Sequence, residues 1–191
     1  NVNRRYKVRS KASHATNGPE SAPGTGNEFI IDPTAPAAAI TQPDKAYVIA
    51  LTTITGNVSD TAPGTVNNAY FRVKRQGLAE YWNWQASTFT ALSGQYTDLP
   101  ASINAGLASY TTDYFRSGQA LEPDKSYTVQ LYVLDRAGNQ DFAAEKDFTI
   151  DRSSPAAVVV VPYDANKKGL RNLPSISGTA SDNRLNDDVQ I

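Results

Sequence analysis

Apolar and polar residues alternate along several short stretches of the chain, and this two-residue period predicts β-strands. In residues 126–134 the apolar side chains of Tyr127, Val129, Leu131 and Val133 share one parity, as a half-buried strand requires. The same reasoning predicts strands over residues 37–40, 48–58, 69–75, 126–134 and 145–150. Several short strands without a long helix predict an all-β fold, specifically a β-sandwich.

Two local segments refine this prediction. Residues 103–110 form the only stretch whose pattern is compatible with a helix, and that pattern is weak. Leu121, Pro123 and Tyr127 are spaced as in a tyrosine corner, in which the tyrosine hydroxyl reaches back to the backbone before its strand. This device is typical of Greek-key sandwiches.

The chain contains an internal repeat with a period of about 120 residues. Residues 29–43 (FIIDPTAPAAAITQP) and 148–162 (FTIDRSSPAAVVVVP) are identical at seven of fifteen positions, at an offset of 119. Residues 54–60 (ITGNVSD) and 176–182 (ISGTASD) share four of seven, at an offset of 122. Tyr6-Lys-Val8 aligns with Tyr127-Thr-Val129 at an offset of 121. The alternative is a chance similarity between two linkers rich in proline and alanine.

These offsets predict one complete unit between two partial ones. Residues 1–31 would be the C-terminal strands of a preceding repeat, residues 32–150 a complete domain, and residues 151–191 the N-terminal strands of a following repeat. Neither partial repeat can close a core by itself. We therefore expect both to be ordered by neighbouring protein, either in a longer chain or in the next subunit of a filament.

Three sequence motifs are informative together: residues 127–139 (YTVQLYVLDRAGN), 148–155 (FTIDRSSP) and 176–182 (ISGTASD). They resemble the bacterial Ig-like (Big-type) tandem repeats of large cell-surface and adhesin proteins. Residues 81–84 (YWNW) also look like the aromatic motif that follows the third strand in some of these repeats. The resemblance implies Ig-like Greek-key β-sandwich repeats, one complete and two partial, and an extracellular location at the cell surface.

Charge and composition exclude several classes of partner. The chain has 18 Lys and Arg against 19 Asp and Glu, so no basic excess would attract nucleic acid or an anionic membrane. It also lacks an apolar run of about 18 residues, which argues against membrane insertion. Cysteine is absent, which excludes disulfides and thiolate-bound zinc.

Catalytic residue types are scarce, and we predict that the protein is not an enzyme. A nucleophilic triad usually needs histidine as its base, and the single histidine, His14, lies among turn formers. Asp187 and Asp188 could act as an acid and base pair, but they lie in a polar, loop-like stretch.

Acidic residues at one end of the predicted sandwich suggest a metal site. In an Ig-type sandwich, Asp32 in the linker, Asp60 after the second strand, and Asp135 with Asn139 in the last hairpin would meet at the junction with the preceding unit. Asp151 and Asp182 supply the same pieces in the following repeat. Carboxylate oxygens suit Ca²⁺, so calcium is the one cofactor we consider. The alternative is that each aspartate caps its own turn.

An aromatic cluster suggests a second kind of site. Tyr81, Trp82, Trp84 and Phe89 could form a platform for a glycan or another ligand, with Tyr81, Trp82 and Trp84 as the binding residues. The alternative is that the rings pack between the sheets or between strands, which a sandwich without disulfides needs. Solvent exposure of Trp82 and Trp84 distinguishes the two interpretations.

From these features we expect a structural or adhesive repeat that forms a stalk or filament of a bacterial surface protein. The alternative is a glycan- or ligand-binding sandwich that uses the aromatic cluster of residues 81–89. The expected partners are neighbouring Ig-like repeats of the same chain or of adjacent subunits, with no nucleic acid and no membrane insertion.

Overall fold

The computed structural model describes residues 4–11, 24–111, 115, 121–142, 145–161, 171–172 and 175–182. Within them the regular secondary structure is strand except for one four-residue helix, so the fold is all-β, as the alternating pattern predicts. The elements, in chain order, are β1 (Arg4–Val8), β2 (Asn27–Ile31), β3 (Ala37–Gln42), β4 (Tyr47–Val48), β5 (Thr53–Ser59), β6 (Val66–Arg75), β7 (Tyr81–Asn83), β8 (Thr88–Thr90), α1 (Gly94–Thr97), β9 (Leu99–Pro100), β10 (Ser102–Asn104), β11 (Leu107–Thr111), β12 (Ser126–Asp135), β13 (Gln140–Phe142), β14 (Lys146–Ile150), β15 (Ala156–Val161) and β16 (Ser177–Ser181).

The chain divides into two compact units, residues 1–150 and residues 151–191. In the first unit, one sheet has the strand order β10-β11-β5-β3. A larger sheet has the order β4-β14-β12-β6-β7-β8, with β13 paired to β12 and β9 paired to β6. The strands β1 and β2 form a hairpin of their own, and β15 and β16 form a hairpin in the second unit. No helix among the described residues has the length and apolar character needed to cross a membrane.

One hydrophobic core lies between the two large sheets of the first unit. The four-stranded sheet contributes Ile54, Val58 and Ala108 to it. The larger sheet contributes the buried side chains of β6, β12 and β14, namely Ala69, Phe71, Val73, Tyr127, Val129, Leu131, Val133, Phe148 and Ile150. The alternate residues of these strands point away from the core, which is why the two-residue period predicted them. We call this arrangement the two-sheet core, and it is consistent with a β-sandwich.

The hairpins β3–β5 and β15–β16 have the same register. Ala37 lies opposite Ser59, and Ala156, at an offset of 119, lies opposite Ser181, at an offset of 122. Every other pair corresponds in the same way. A register irregularity follows the equivalent residues Ile40 and Val159. The sequence repeat is therefore also a repeat of strand pairing.

The hairpins β1–β2 and β12–β14 correspond as well. Tyr6 lies opposite Phe29, and Tyr127 lies opposite Phe148. The two ring pairs are stacked alike, with centroids 5.5 Å and 5.7 Å apart and interplanar angles of 20° and 28°. The division into three repeats at residues 31/32 and 150/151 stays a prediction; the second of these positions coincides with the border between the two compact units.

The tyrosine corner is confirmed, whereas the helical interpretation of residues 103–110 is wrong. The backbone N–H of Glu122 donates to the hydroxyl of Tyr127 at 2.8 Å. Residues 102–111 form the hairpin β10–β11, which turns at Ala105 and Gly106. Both turn residues have positive φ, 48° and 81°, as a tight two-residue hairpin turn requires. The apolar residues of this segment follow a strand period because the neighbouring strand β5 pairs with β11.

Candidate functional site

Three aspartates from separate parts of the first unit converge at one end of the two-sheet core. Asp32 precedes β3, Asp60 follows β5, and Asp135 is the last residue of β12. Each offers a carboxylate oxygen, and these three atoms lie within 4.8 Å of one another. We call Asp32, Asp60 and Asp135 the acidic cluster. The sequence predicted this convergence from the order of strands in a sandwich.

One oxygen of each carboxylate caps its own turn. Asp32 Oδ1 accepts the N–H of Thr34 at 3.2 Å, and Asp60 Oδ1 accepts the N–H of Thr61 at 2.7 Å. Asp135 Oδ1 accepts the backbone N–H of Asn139 at 2.8 Å. These bonds hold the three side chains in fixed orientations. The turn-capping interpretation is therefore compatible with the convergence of the carboxylates, because each aspartate can cap its own turn through Oδ1 and still lie in the cluster.

Gly64 leaves the space in which two of the remaining oxygens meet. A Cβ at this position would lie 2.6 Å from Asp60 Oδ2 and closer still to Asp32 Oδ2. Atoms at such separations overlap, so any other residue would push the carboxylates apart. Sequence reasoning missed Gly64, because its turn position in Thr61-Ala-Pro-Gly64 explains a glycine equally well.

The acidic cluster is electrostatically unfavourable without a neutralising partner. Burial raises the pKa of Asp60, and the nearby carboxylates of Asp32 and Asp135 raise it further, against the opposing hydrogen bond from Thr61. Asp60 Oδ2 is buried and accepts no hydrogen bond from any described residue. The ion pairs between described residues involve none of these aspartates. The arrangement favours either a proton or a cation at this position.

Asn139 holds the cluster in place through its amide nitrogen. Its Nδ2 donates to Asp135 Oδ2 at 2.8 Å and to the carbonyl oxygen of Asp32 at 2.7 Å. It also donates to the carbonyl oxygen of Thr34 at 3.3 Å. These contacts of Nδ2 position Asp135 and the linker, and the predicted role of Asn139 as a calcium ligand, which would use Oδ1, stays a prediction.

Asp151 and Asp182 occupy the equivalent positions in the second unit. Asp151 Oδ1 accepts the N–H of Ser153 at 3.0 Å, as Asp32 does from Thr34. Asp182 follows β16 as Asp60 follows β5. The close group of three acidic residues found in the described part of the chain does not include either of them. The repeat to which they would belong supplies no equivalent of Asp135 within these 191 residues.

The residues of the predicted aromatic platform do not share a surface. Trp82 is 2% exposed and packs edge-on against Phe89 and Phe115 in the core, with both centroid separations at 5.6 Å. Trp84 is 44% exposed, and Tyr81 is half-buried in β7. The two tryptophans do not face the same side, because β7 ends at Asn83 and the alternation of the strand stops there. The Oδ1 of Asn83 accepts the N–H groups of the turn that follows.

A group of aromatic side chains that sequence reasoning missed lies on the outward face of the larger sheet. Tyr70 is opposite Tyr132 on β6 and β12, and Tyr132 is opposite Phe142 on β13. The rings stack in a row, with centroids 5.0 Å and 5.4 Å apart. The sequence could have indicated this group, because aromatic residues occupy strand positions that point away from the core, where polar residues are usual.

His14, Asp187 and Asp188, which the sequence analysis considered for catalysis and set aside, lie outside the described residues. The comparisons with known proteins add no identity, since no protein-family model matches the chain and a search of curated proteins finds no match.

Proposed function

We propose that this chain is a segment of a tandem array of Ig-like β-sandwich repeats with a non-catalytic, mechanical role at a bacterial cell surface, in a stalk or filament. The observation that carries the proposal is the recurrence of two hairpins with unchanged register. The hairpin β15–β16 repeats β3–β5, and β1–β2 repeats β12–β14. Sequence similarity that extends to strand pairing favours repeated modules over chance similarity between linkers.

The order of strands supports the Ig-like assignment. In Ig domains one sheet contains the strands A, B, E and D, and the other contains C, F and G, with C′ and C″ added in variable domains. The sheet β3-β5-β11-β10 corresponds to the first set in that order. The sheet β14-β12-β6-β7-β8 corresponds to the second. The tyrosine corner at Tyr127 falls at the start of the strand that this correspondence equates with F.

The ends of the complete repeat are paired in a way suited to bearing load. β4, near the start, pairs with β14, the last strand, and the two run parallel. The N–H of Thr149 donates to the carbonyl oxygen of Ala46 at 2.7 Å. When the two ends of the repeat are pulled apart, these parallel strands slide against each other. Their hydrogen bonds are then loaded together instead of one after another.

Single-molecule pulling tests this role. The chain contains no cysteine, so cysteine handles introduced in pairs are unique attachment points. Handles at Ala35 and Ser154 load the parallel pair in shear. Handles at Gln76 and Lys125 serve as the control. They pull β6 away from β12 at one end of the same folded unit, so the hydrogen bonds between these strands break one after another. We expect an unfolding force several times higher for the first pair. Equal forces, or a weaker terminal pair, would contradict the mechanical proposal.

The acidic cluster supports a second component of the proposal, namely that a calcium ion stabilises the junction at Asp32. Three carboxylates provide the hard oxygen ligands that Ca²⁺ prefers, and Asp60 Oδ2 is buried without a hydrogen bond. Gly64, which has no Cβ, lets the carboxylates of Asp32 and Asp60 come together. A divalent cation would neutralise charges that otherwise repel, and it would tie the linker to the loops after β5 and β12.

Thermal melting in calcium and in a chelator tests the calcium component. At a calcium concentration of 100 times Kd, binding to the folded state adds about 2.7 kcal/mol to its free energy of unfolding. We expect Asp60→Asn to abolish this gain. Without calcium, the same variant should be more stable than the parent chain, because it removes one of three like charges.

Two matched substitutions serve as controls for the calcium experiment. Asp182→Asn changes the equivalent residue outside the acidic cluster, and Asp44→Asn changes an exposed aspartate elsewhere. Both should retain the full calcium effect. A parent chain whose melting temperature is the same in calcium and chelator would remove the calcium component and leave the repeat proposal intact.

A further inference from the structure

The outward face of the larger sheet combines stacked aromatic rings with a largely buried ion pair. Arg72 Nε donates to Asp98 Oδ1 at 2.5 Å, and their side chains are only 16% and 12% exposed. The Arg72 guanidinium lies 4.6 Å from the centre of the Tyr132 ring, and the Tyr132 hydroxyl donates to Asp98 Oδ2. We call Tyr70, Arg72, Asp98, Tyr132 and Phe142, together with Trp84, the aromatic face.

Stability alone does not account for this arrangement. Removing an ion pair from water costs about as much as the attraction within the pair returns, so apolar residues would stabilise the sheet as well or better. The pair also lies on the side of β6 and β12 opposite the two-sheet core, since the core residues are Phe71, Leu131 and their alternates. A fixed polar group among aromatic rings is, however, what gives a binding site its orientation and specificity.

The aromatic face contains an open depression with ring surfaces available to a ligand. Its volume is 530 Å³, which falls within the range of small-molecule sites. Phe142 and Trp84 line it and are 57% and 44% exposed, while Tyr132 and the ion pair lie deeper. Pro100, Leu134, Gln140 and Gly94 complete the lining. A Cβ at Gly94 would lie 3.3 Å from Asp98 Oδ2, so the glycine keeps the approach to this carboxylate open.

We propose that the aromatic face binds a short neutral saccharide. The apolar faces of sugar rings stack on exposed aromatic rings, which here are Trp84 and Phe142. Sugar hydroxyl groups both donate and accept hydrogen bonds, so they match the side chains of Arg72, Asp98 and Gln140. This proposal is independent of the mechanical one and uses a surface that the core and the repeat junction do not occupy.

The charge of the aromatic face selects a neutral ligand. The charged side chains that line the depression are Arg72 and Asp98, which neutralise each other, and the other polar side chains, Gln140 and the two tyrosines, are uncharged. An anionic sugar would face the carboxylate of Asp98, and a cationic ligand would face the guanidinium of Arg72. A sugar without charged groups avoids both unfavourable interactions.

Nuclear magnetic resonance of the full 191-residue chain tests the proposal directly. The chain contains two tryptophans, so its ¹⁵N spectrum has two indole N–H signals. Trp84 lines the depression and Trp82 is buried in the core. We would titrate cellotetraose, maltotetraose and mannotetraose separately. The expected result is a saturable shift of the Trp84 signal with at least one of them, while the Trp82 signal stays in place.

Substitutions of exposed rings then locate the binding. Phe142→Ala and Trp84→Ala should each weaken binding of the responding saccharide by about tenfold or more, the former read from the Trp84 signal and the latter by calorimetry. Tyr47→Ala removes another exposed ring, on β4 at the edge of the same sheet, and should leave the affinity unchanged. The Trp82 signal reports whether each variant is folded.

Three outcomes would overturn the proposal. The first is that none of the three saccharides shifts the Trp84 signal at saturating concentration. The second is that Trp84→Ala and Phe142→Ala bind as tightly as the parent chain. The third is that a proline-rich peptide, the other ligand that aromatic grooves commonly take, shifts the Trp84 signal while the saccharides do not.

Discussion

The hairpins β3–β5 and β15–β16 have equivalent sequences and the same register, yet their surroundings differ. In β3–β5, Ile54 and Val58 are buried in the two-sheet core. In the second compact unit, Ile176, which corresponds to Ile54 and directly precedes β16, is 73% exposed. The pairing of strands is therefore a local property of these sequences. Burial depends on whether a second sheet covers the hairpin.

The glycines of the two hairpins show the same distinction at one position. A Cβ at Gly56 would lie 2.8 Å from the carbonyl oxygen of Ala39, and a Cβ at Gly178 would lie 2.7 Å from that of Val158. Only at Gly56 would the Cβ also meet a side chain from the other sheet, that of Leu131. The close approach within the hairpin is repeated, whereas the contact across the core is specific to the first compact unit.

The largest effect should come from equivalent phenylalanines in the hairpins β12–β14 and β1–β2. Phe148 is 2% exposed, and Phe29 is 44% exposed. We expect Phe148→Ala to lower the free energy of unfolding by about 3–5 kcal/mol, because it leaves a cavity in the core. Phe29→Ala should change it by less than about 0.5 kcal/mol, as exposed substitutions usually do. Urea denaturation followed by tryptophan fluorescence measures both, and similar losses would show that the first hairpin shares the core.

An intermediate effect is expected from the paired glycines. Gly56→Ala forces a methyl group against Leu131 and the Ala39 carbonyl, and we expect a loss of about 1–3 kcal/mol, typical of overpacking. Gly178→Ala should leave the unfolding midpoint of the two-sheet core unchanged, because its hairpin belongs to the other unit. A loss of equal size in both variants would mean that the two units unfold together.

The smallest effect concerns the tyrosine corner. Tyr127→Phe removes the acceptor for the N–H of Glu122, and we expect a loss of about 1 kcal/mol in the free energy of unfolding. Tyr6→Phe is the matched change in the first hairpin and should have no measurable effect on the unfolding of the core. An unchanged stability in Tyr127→Phe would show that the corner does not stabilise the repeat.

Much of the candidate site could be predicted from the chain alone, because it depends on strand order. Asp32, Asp60 and Asp135 follow or precede strands that end at the same edge of a sandwich, so their convergence needs no side-chain detail. The difference between Trp82 and Trp84 could not be predicted. It depends on β7 ending at Asn83, a boundary that the alternating pattern of Tyr81-Trp-Asn-Trp84 does not mark.

The aromatic face escaped prediction for a different reason. Tyr70, Tyr132 and Phe142 are far apart in the chain and become neighbours only through the register of β6, β12 and β13. Asp98 joins them from the end of α1, a four-residue helix that no sequence pattern indicated. Pairs of this kind depend on which strands lie side by side, and a single sequence carries little information about the order of strands.

Local sequence determined most of the strands, the pairing within hairpins and the repeat, because alternation, turn residues and close-approach glycines act between near neighbours in the chain. The single strand predicted over residues 48–58 was wrong, since β4 and β5 are separate strands in different sheets. The tertiary structure decided which hairpin is buried, which tryptophan is exposed, and that residues 102–111 form a hairpin beside β5 instead of a helix. These outcomes depend on contacts between distant segments. The free energy of these contacts is gained only when two sheets meet and exclude water. This is why equivalent hairpin sequences can be buried in one unit and exposed in the other.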